Sequence, residues 1–322
     1  MQAITPYSQP EILATLQDLT DQARATIGHA KAENTQRAYR TDFTHFTAWC
    51  ATMGVSALPA APSTVVLYLA ALRNDDKKVS TLTRRISAIS QAHQYAGIES
   101  PCQHAEVRAY MAGARREMGS AEKRAAPIMT EDVKAMVNAL PDTLLGTRDK
   151  ALLLVGFAGA FRESELVNLA VADVTFCVEG VRINLRHSKT DQSGEGREVG
   201  ISRIANFEYC PVRALRAWLD AAGIVEGKVF RGMNRHGGFR SEQLAIRAVD
   251  DIIKRAAAAA DLDATQLSGH SLRAGHATTA AREGVSEREI MDQTGHRSER
   301  MVRKYIRKGN LFSGNSSAKL GL

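Results

Sequence analysis

The stretch from His270 to Tyr305 is punctuated so that it cannot be a single helix. Gly284 and Gly295 are the residue type that closes helices, Ser286 and Ser298 offer side-chain oxygens to open new ones, and Ser271 is the expected cap of the first. Three short helices result, the first from Leu272 to about Arg282. His270 then lies just before a helix start and Arg273 in its first turn, near a pole that favours anions, while His296 sits on a turn after a helix stop. On the third helix Met301, Val302, Tyr305 and Ile306 form an apolar stripe, and Arg300, Arg303, Lys304 and Arg307 face elsewhere.

A phenol, two imidazoles and a guanidinium in this order suit phosphoryl transfer without a metal. Tyrosine is a poor nucleophile as it stands: with a reference pKa near 10, about one part in a thousand is ionised at pH 7, a deficit of roughly 4 kcal/mol that a neighbouring base must cover. His270 is the first candidate for that base. The crowded phosphate that forms carries extra negative charge, which the planar fork of Arg273 can clamp. One arginine seldom suffices, and a second stands upstream. The run LLLVGFAGAFRESELVNL is a long apolar helix interrupted at Gly159, after which Arg162 follows with Glu165 three residues on as its partner. Further on, RINLRHSKTDQSGEGREVGIS reads as two strands joined by a Gly-rich turn, with Lys189 at its mouth able to bring an ammonium to a leaving alkoxide.

Taken together, Arg162 with Glu165, Lys189 in a β-hairpin, His270-Ser-Leu-Arg273, Gly295-His296 and Tyr305-Ile-Arg resemble the catalytic signature of the tyrosine recombinases, the phage integrase family, in order and approximate spacing across residues 150 to 308. The resemblance implies a site-specific recombinase that attacks a DNA phosphodiester to give a 3′-phosphotyrosine and a free 5′-hydroxyl, with no cofactor and no metal. Carried over, Tyr305 is the nucleophile, Arg162 and Arg273 the clamp, His270 the acid/base, Lys189 the proton donor, His296 a further phosphate contact and Glu165 the support for Arg162 or His270. Relatives carry either His or Trp where His296 stands. Each residue also has a bland reading. Tyr305 alone would be a packing residue, the histidines caps or core groups, Arg162 half of a salt bridge and Lys189 a solvated cation; the constellation argues otherwise. His276, His187 and Arg282 are read as structural.

A chain of 322 residues suffices for two domains, and its net charge of +7 suits a polyanionic partner. The expected fold class is mainly α: an all-helical core-binding domain followed by a mixed α/β catalytic domain of helices with a small antiparallel sheet. Residues 1–30 read as a lead, 31–118 as the helical DNA-binding domain, 119–127 as a linker, 128–308 as the catalytic domain and 309–322 as a tail. In the first domain helices are expected from Asn34 or Thr35 to about Met53, Ser63 to Arg73, Ser80 to Tyr95 and Ala105 to about Met118. Thr130, with Glu131 and Asp132, is the expected cap of the first catalytic-domain helix.

The helix from Ser80 puts Leu82, Ile86, Ile89 and His93 on one side, and Arg84, Ser87, Gln91 and Gln94 on the other, where they could reach base edges in a major groove. Arg37, Arg40, Lys77, Lys78 and Arg85 suit phosphate contacts. Arg115, Arg116, Lys123 and Arg124 suit a strap across the backbone. Arg240, Ser241, Gln243 and Arg247 resemble the family's second groove-facing element, in a stretch that leads into a helix. In relatives the tail docks on the neighbouring protomer, which would make Leu311 and Phe312 anchors here.

Cys50, Cys102, Cys177 and Cys210 show no metal-ligand spacing and read as reduced thiols, and no apolar run reaches the roughly 20 residues of a membrane span. The expected location is cytoplasmic, on DNA, without membrane attachment. The expected partner is double-stranded DNA with paired inverted-repeat sites, bound by a homo-oligomer, a dimer per site and a tetramer in synapsis. Nothing in the residues speaks for or against accessory proteins. Alternatives are a type IB topoisomerase-like relaxing enzyme and a catalytically silent DNA-binding regulator; a metal-dependent nuclease lacks its carboxylate cluster.

Overall fold

The computed structural model describes residues 15–22, 26, 33–119, 125–186, 196–234, 236–296 and 298–309, with side chains of the last helix through Tyr305. Two compact units emerge, Met1–Glu122 and Lys123–Leu322. The first, in which residues 15–22 are also helical, is built from α1 (Glu33–Met53), α2 (Pro62–Asn74), α3 (Val79–Tyr95) and α4 (Ala105–Met118). Apolar residues at helical spacing (Phe46 with Cys50, Val65 with Leu69 and Leu72, Leu82 with Ile89, Val107 with Met111) meet in one core.

Asp42 lies one turn before Phe46 and is therefore carried into that core, at 1% exposure. A buried carboxylate needs compensation, and α3 supplies it. Arg84 donates from Nε and Nη2 to the two Asp42 oxygens at 2.7 and 3.1 Å, and Arg85 Nη1 lies 3.2 Å from Oδ1. Arg84, expected to read a base edge, and Arg85, expected to contact a phosphate, thus both fasten α3 to α1, while the Arg84 side chain stays 52% exposed. His93, fully buried, donates from Nδ1 to the Ile89 carbonyl at 2.8 Å and accepts the Ala60 N–H at Nε2 at 3.0 Å.

The second unit contains α5 (Thr130–Asn138), α6 (Leu144–Ala158), α7 (Glu163–Asn168), β1 (Val174–Phe176), β2 (Gly180–Leu185), β3 (Arg197–Ser202), α8 (Pro211–Ala221), β4 (Gly232–Met233), β5 (Phe239–Ser241), α9 (Ile246–Ala259), α10 (Gly269–Arg282), α11 (Glu287–Thr294) and α12 (Glu299–Gly309). The molecule is thus mainly helical, with a helical first unit and small antiparallel sheets confined to the second, as the sequence led us to expect. The central apolar run, Ala151 to Val155, is buried on all sides inside α6. Trp218 of α8 packs in the same core and donates its indole N–H to the Val229 carbonyl at 2.8 Å. In the three-stranded sheet β2 is central, and its alternation points Val181, Ile183 and Leu185 inward. Leu185 pairs with Arg197 at the end of the β2–β3 ladder, and Gly180 with Ser202 at the other.

Local expectations needed correction at four helix starts and faces. Met129 rather than Thr130 precedes α5, with Asp132 accepting the Met129 N–H at 2.7 Å. Ser268 rather than Ser271 precedes α10, and Ser271, three residues in, accepts the Ser268 N–H at 3.0 Å. His270 therefore lies within the first turn and Arg273 beyond it. Residues 239–241 form a strand, paired with β4, before α9 begins. Met301 is 42% exposed and leaves the apolar stripe to Val302 and Tyr305. The stop at Gly295 stands as read: its φ of 65° closes α11 in the left-handed conformation that glycine adopts without strain.

Candidate active site

Three segments far apart in sequence deliver their polar side chains to one place. The first is the turn after α6. Gly159 ends that helix where a side chain would strike the Phe161 ring, since a Cβ there would lie 2.2 Å from it. Ala160 then takes a φ of 51°, and its carbonyl accepts from Arg273 Nη1 at 2.7 Å. Arg162 follows at the threshold of α7. Its backbone N–H donates to Glu165 Oε2 at 2.9 Å and its Nη1 to Oε1 at 2.6 Å, so the buried Glu165 holds both ends of the residue.

The second segment is α10. Arg273 is 1% exposed, and its Nη2 lies 3.3 Å from His296 Nε2. His270, one turn earlier, brings Nε2 to 3.0 Å from Tyr305 Oη. The helix N-terminus itself is already occupied. The Gly269 N–H donates to Asp250 at 2.6 Å, and Glu163 accepts from the His270 N–H. The anion-favouring pole expected there is satisfied by the protein's own carboxylates, and the cationic side chains carry the attraction instead. Burial first, then the charge of Asp250, holds the Glu163 carboxyl above the usual carboxylate range.

The third segment is the α11 stop and α12. His296 follows Gly295, and its Nδ1 is 2.7 Å from Thr294 Oγ1. Arg273 can only donate, so Nε2 is the acceptor and the proton sits on Nδ1, facing Thr294; Thr294 in turn donates to the Ile290 carbonyl at 2.6 Å. Tyr305, 8% exposed beside the fully buried Val302, stacks near the His296 ring at 5.9 Å between centroids.

Positive charge accumulates in this site. Burial first, then Arg162, lowers the Arg273 pKa to about 10. Burial first, then Arg273 and Arg162, lowers that of His296 to about 3, so the ring is neutral throughout the working range. Between the ordinary histidine value of about 6.5 and about 3, the unfolded chain takes up a proton that the folded one refuses. Stability is therefore lost as pH falls through that window. Urea unfolding at pH 7 and pH 5 is expected to show about 1–2 kcal/mol more acid loss for the wild type than for His296→Trp, whose ring does not titrate.

A further cation of the cluster was not foreseen. Arg197, the first residue of β3, donates from Nη1 to the Gln293 carbonyl at 3.0 Å, and its Nη2 lies 3.8 Å from Glu165 Oε2. A charged residue opening a strand gives no local sign of this. Lys189, with Lys123, Arg124, His187, Leu311 and Phe312, lies outside the described residues. Among the described residues, no group of three His, Cys, Asp or Glu side chains could hold a metal. No helix among them is long and apolar enough to cross a membrane.

The residues expected to touch DNA differ in exposure and in the partners they already have. Arg37, Arg40, Lys77, Lys78, Gln94, Arg115, Arg116, Arg240 and Arg247 have exposed side chains. Several of the set, exposed or not, have intramolecular partners: Arg37 donates to Glu33 Oε1 at 3.4 Å, Ser87 to the Thr83 carbonyl at 3.1 Å, Gln91 to Tyr95 Oη at 2.7 Å and Ser241 to the Gln243 carbonyl at 2.7 Å. Gln243 Nε2 donates to the Val167 carbonyl at 3.1 Å and Asn168 Oδ1 at 2.9 Å, which makes it a tie to the end of α7.

Residues 127–310 match the phage integrase family, and residues 26–99 match its N-terminal SAM-like domain. An integrase/recombinase xerD homolog of Selenomonas ruminantium is 42% identical over 302 residues, covering 92% of this chain and 88% of the relative. The recombinase cre of Escherichia phage P1 is 25% identical, covering 86% and 85%. Among solved structures, the Tn1549 transposon integrase in complex with transposon right end DNA superposes with a TM-score of 0.63 at 11% identity, covering 88% and 92%, a likeness of fold. With more than half its length matched by the family and a relative of this identity along nearly all of it, the chain is a member of the phage integrase family of tyrosine recombinases.

Proposed function

We infer that the protein is a site-specific DNA recombinase that cuts and rejoins DNA through its own tyrosine. The observation that carries this reading is the contact of Tyr305 Oη with His270 Nε2, beside Arg273 and His296, within one chain. Tyr305 Oη attacks the scissile phosphorus and gives its proton to His270 Nε2. The bond from phosphorus to the 5′ oxygen breaks as the bond to Tyr305 forms, leaving a 3′-phosphotyrosine. Lys189 protonates the departing 5′ oxygen. Arg162 and Arg273 neutralise the charge that builds on the non-bridging oxygens, and Glu165 keeps Arg162 in place. One phosphate ester is exchanged for another, so a 5′-hydroxyl from a second duplex can reverse the step without external energy.

One tyrosine per protomer sets the stoichiometry. Exchanging both strands of two duplexes requires four cuts, which calls for a dimer on each inverted-repeat site and a tetramer in synapsis. Action on DNA puts the expected location in the cytoplasm, on DNA. The division of labour is a helical core-binding domain over about 31–118, a linker, a catalytic domain over 128–308 and a tail after residue 308 that docks on a neighbour.

Protein incubated with a nicked duplex selected from a random pool is expected to form an SDS-stable adduct that EDTA does not prevent; cleavage that yields no adduct, or that EDTA stops, would sink this reading. Binding should also weaken steeply with salt. If about six phosphates are neutralised per protomer, affinity should fall by roughly a thousandfold between 50 and 200 mM salt, as a filter-binding titration would read.

A further inference from the structure

Arg197 is a cationic member of the cluster that neither the sequence pattern nor the transesterification scheme accounts for. It opens β3 opposite Leu185, at the end of the ladder where the chain crosses from β2 to β3, and its side chain leaves the sheet to reach two other parts of the site. Nη1 donates to the last carbonyls of α11, Gln293 at 3.0 Å and Asp292 at 3.4 Å, immediately before the Thr294-Gly295-His296 turn. Nη2 faces Glu165 Oε2 at 3.8 Å, the same oxygen that accepts the Arg162 backbone N–H.

The approach is close. A Cβ on Gly295 would sit 2.8 Å from Arg197 Nε and 2.9 Å from Cζ, so glycine at 295 serves the arginine as well as the left-handed turn. Gln293 reinforces the joint by donating from Nε2 to the Ala158 carbonyl at 3.0 Å and the Gly200 carbonyl at 3.1 Å.

This arrangement is costly for the resting protein. Arg197 Nε and Nη2 are buried and have no hydrogen-bond acceptor among the described residues, and an unsatisfied buried donor is destabilising. Burial holds the guanidinium below its ordinary pKa, and Arg162 pushes in the same direction. A group kept against these forces where β3 meets two catalytic segments is better explained by the reaction than by stability.

We propose that Arg197 is a positioning residue of the transesterification site, acting through Glu165 on Arg162 and through the α11 carbonyls on His296. This rests on the recombinase reading above and assigns Arg197 no contact with DNA. Its effect therefore belongs to the chemical step and not to site binding.

The test uses full-length protein and a nicked duplex selected from a random-sequence pool, reading adduct formation in a single turnover, duplex affinity and melting temperature. Arg197→Ala should slow adduct formation about thirtyfold or more while affinity stays within about threefold and melting temperature is not lowered. Arg197→Lys, which can still serve one carbonyl, should recover about fivefold of that loss. Combining Arg197→Ala with Glu165→Gln should cost less than the product of the two single losses, because part of the Arg197 effect runs through Glu165.

The inference is overturned if Arg197→Ala cleaves within about threefold of wild type, if its loss is matched by lost melting temperature or affinity, or if the two substitutions multiply. Tyr305→Phe separates the two levels. Should the wild type form no adduct that this substitution removes, the recombinase reading falls and this inference with it; should the adduct form while Arg197→Ala behaves as wild type, only the inference falls.

Discussion

Tyr305→Phe is expected to remove covalent attachment to DNA completely while site affinity stays within about twofold. Only a hydroxyl is lost, and its hydrogen bond is to His270, an exposed residue that water can satisfy in its place. The ring, 8% exposed beside Val302, keeps its packing, so the fold should not loosen. No other phenol is available in the described cluster to take over the attack. The check is an SDS gel of the nicked-duplex reaction beside a mobility-shift titration of the same protein. An adduct that persists in the Phe variant would show that the nucleophile lies elsewhere.

Arg273→Met is the second large effect. The stem is retained and the guanidinium is removed, which should cost at least about 3 kcal/mol of transition-state stabilisation, a hundredfold or more in the single-turnover rate. Stability should move the other way or stay level. In the free protein Arg273 is buried beside Arg162 and Arg197, with a pKa lowered to about 10, and the neighbouring carboxylate Glu165 is already paired with Arg162. Removing a desolvated cation from such company relieves repulsion, against the loss of its bond to the Ala160 carbonyl. Melting temperature and adduct rate, measured on one preparation, decide it: a variant that unfolds early and cleaves normally would reverse both halves of the argument.

How much could be read from residues alone differs from place to place. Helices were legible where punctuation was strong. Gly295 closes α11 and Ser286 opens it, and Ala105–Met118 is bounded as its spacing indicated. Caps were misread where two serines competed, Ser268 and Ser271, because a serine three residues into a helix can bond backward as readily as one at the cap can bond forward. Arg84 has a partner that its sequence neighbours do not reveal. Its spacing on α3 resembles a reading face, but its partner, Asp42, lies on another helix.

The types and order of the reactive groups, the turn that carries His296, and the pairing of Arg162 with Glu165 follow from the chain itself, since each depends on neighbours within about four residues. Tertiary structure alone decided that Arg197 joins them, that Asp250 and Glu163 occupy the α10 N-terminus, and that His296 is held neutral. Those outcomes depend on burial and on charges brought together from distant segments, and the spacing of residues along one helix or strand carries no record of either.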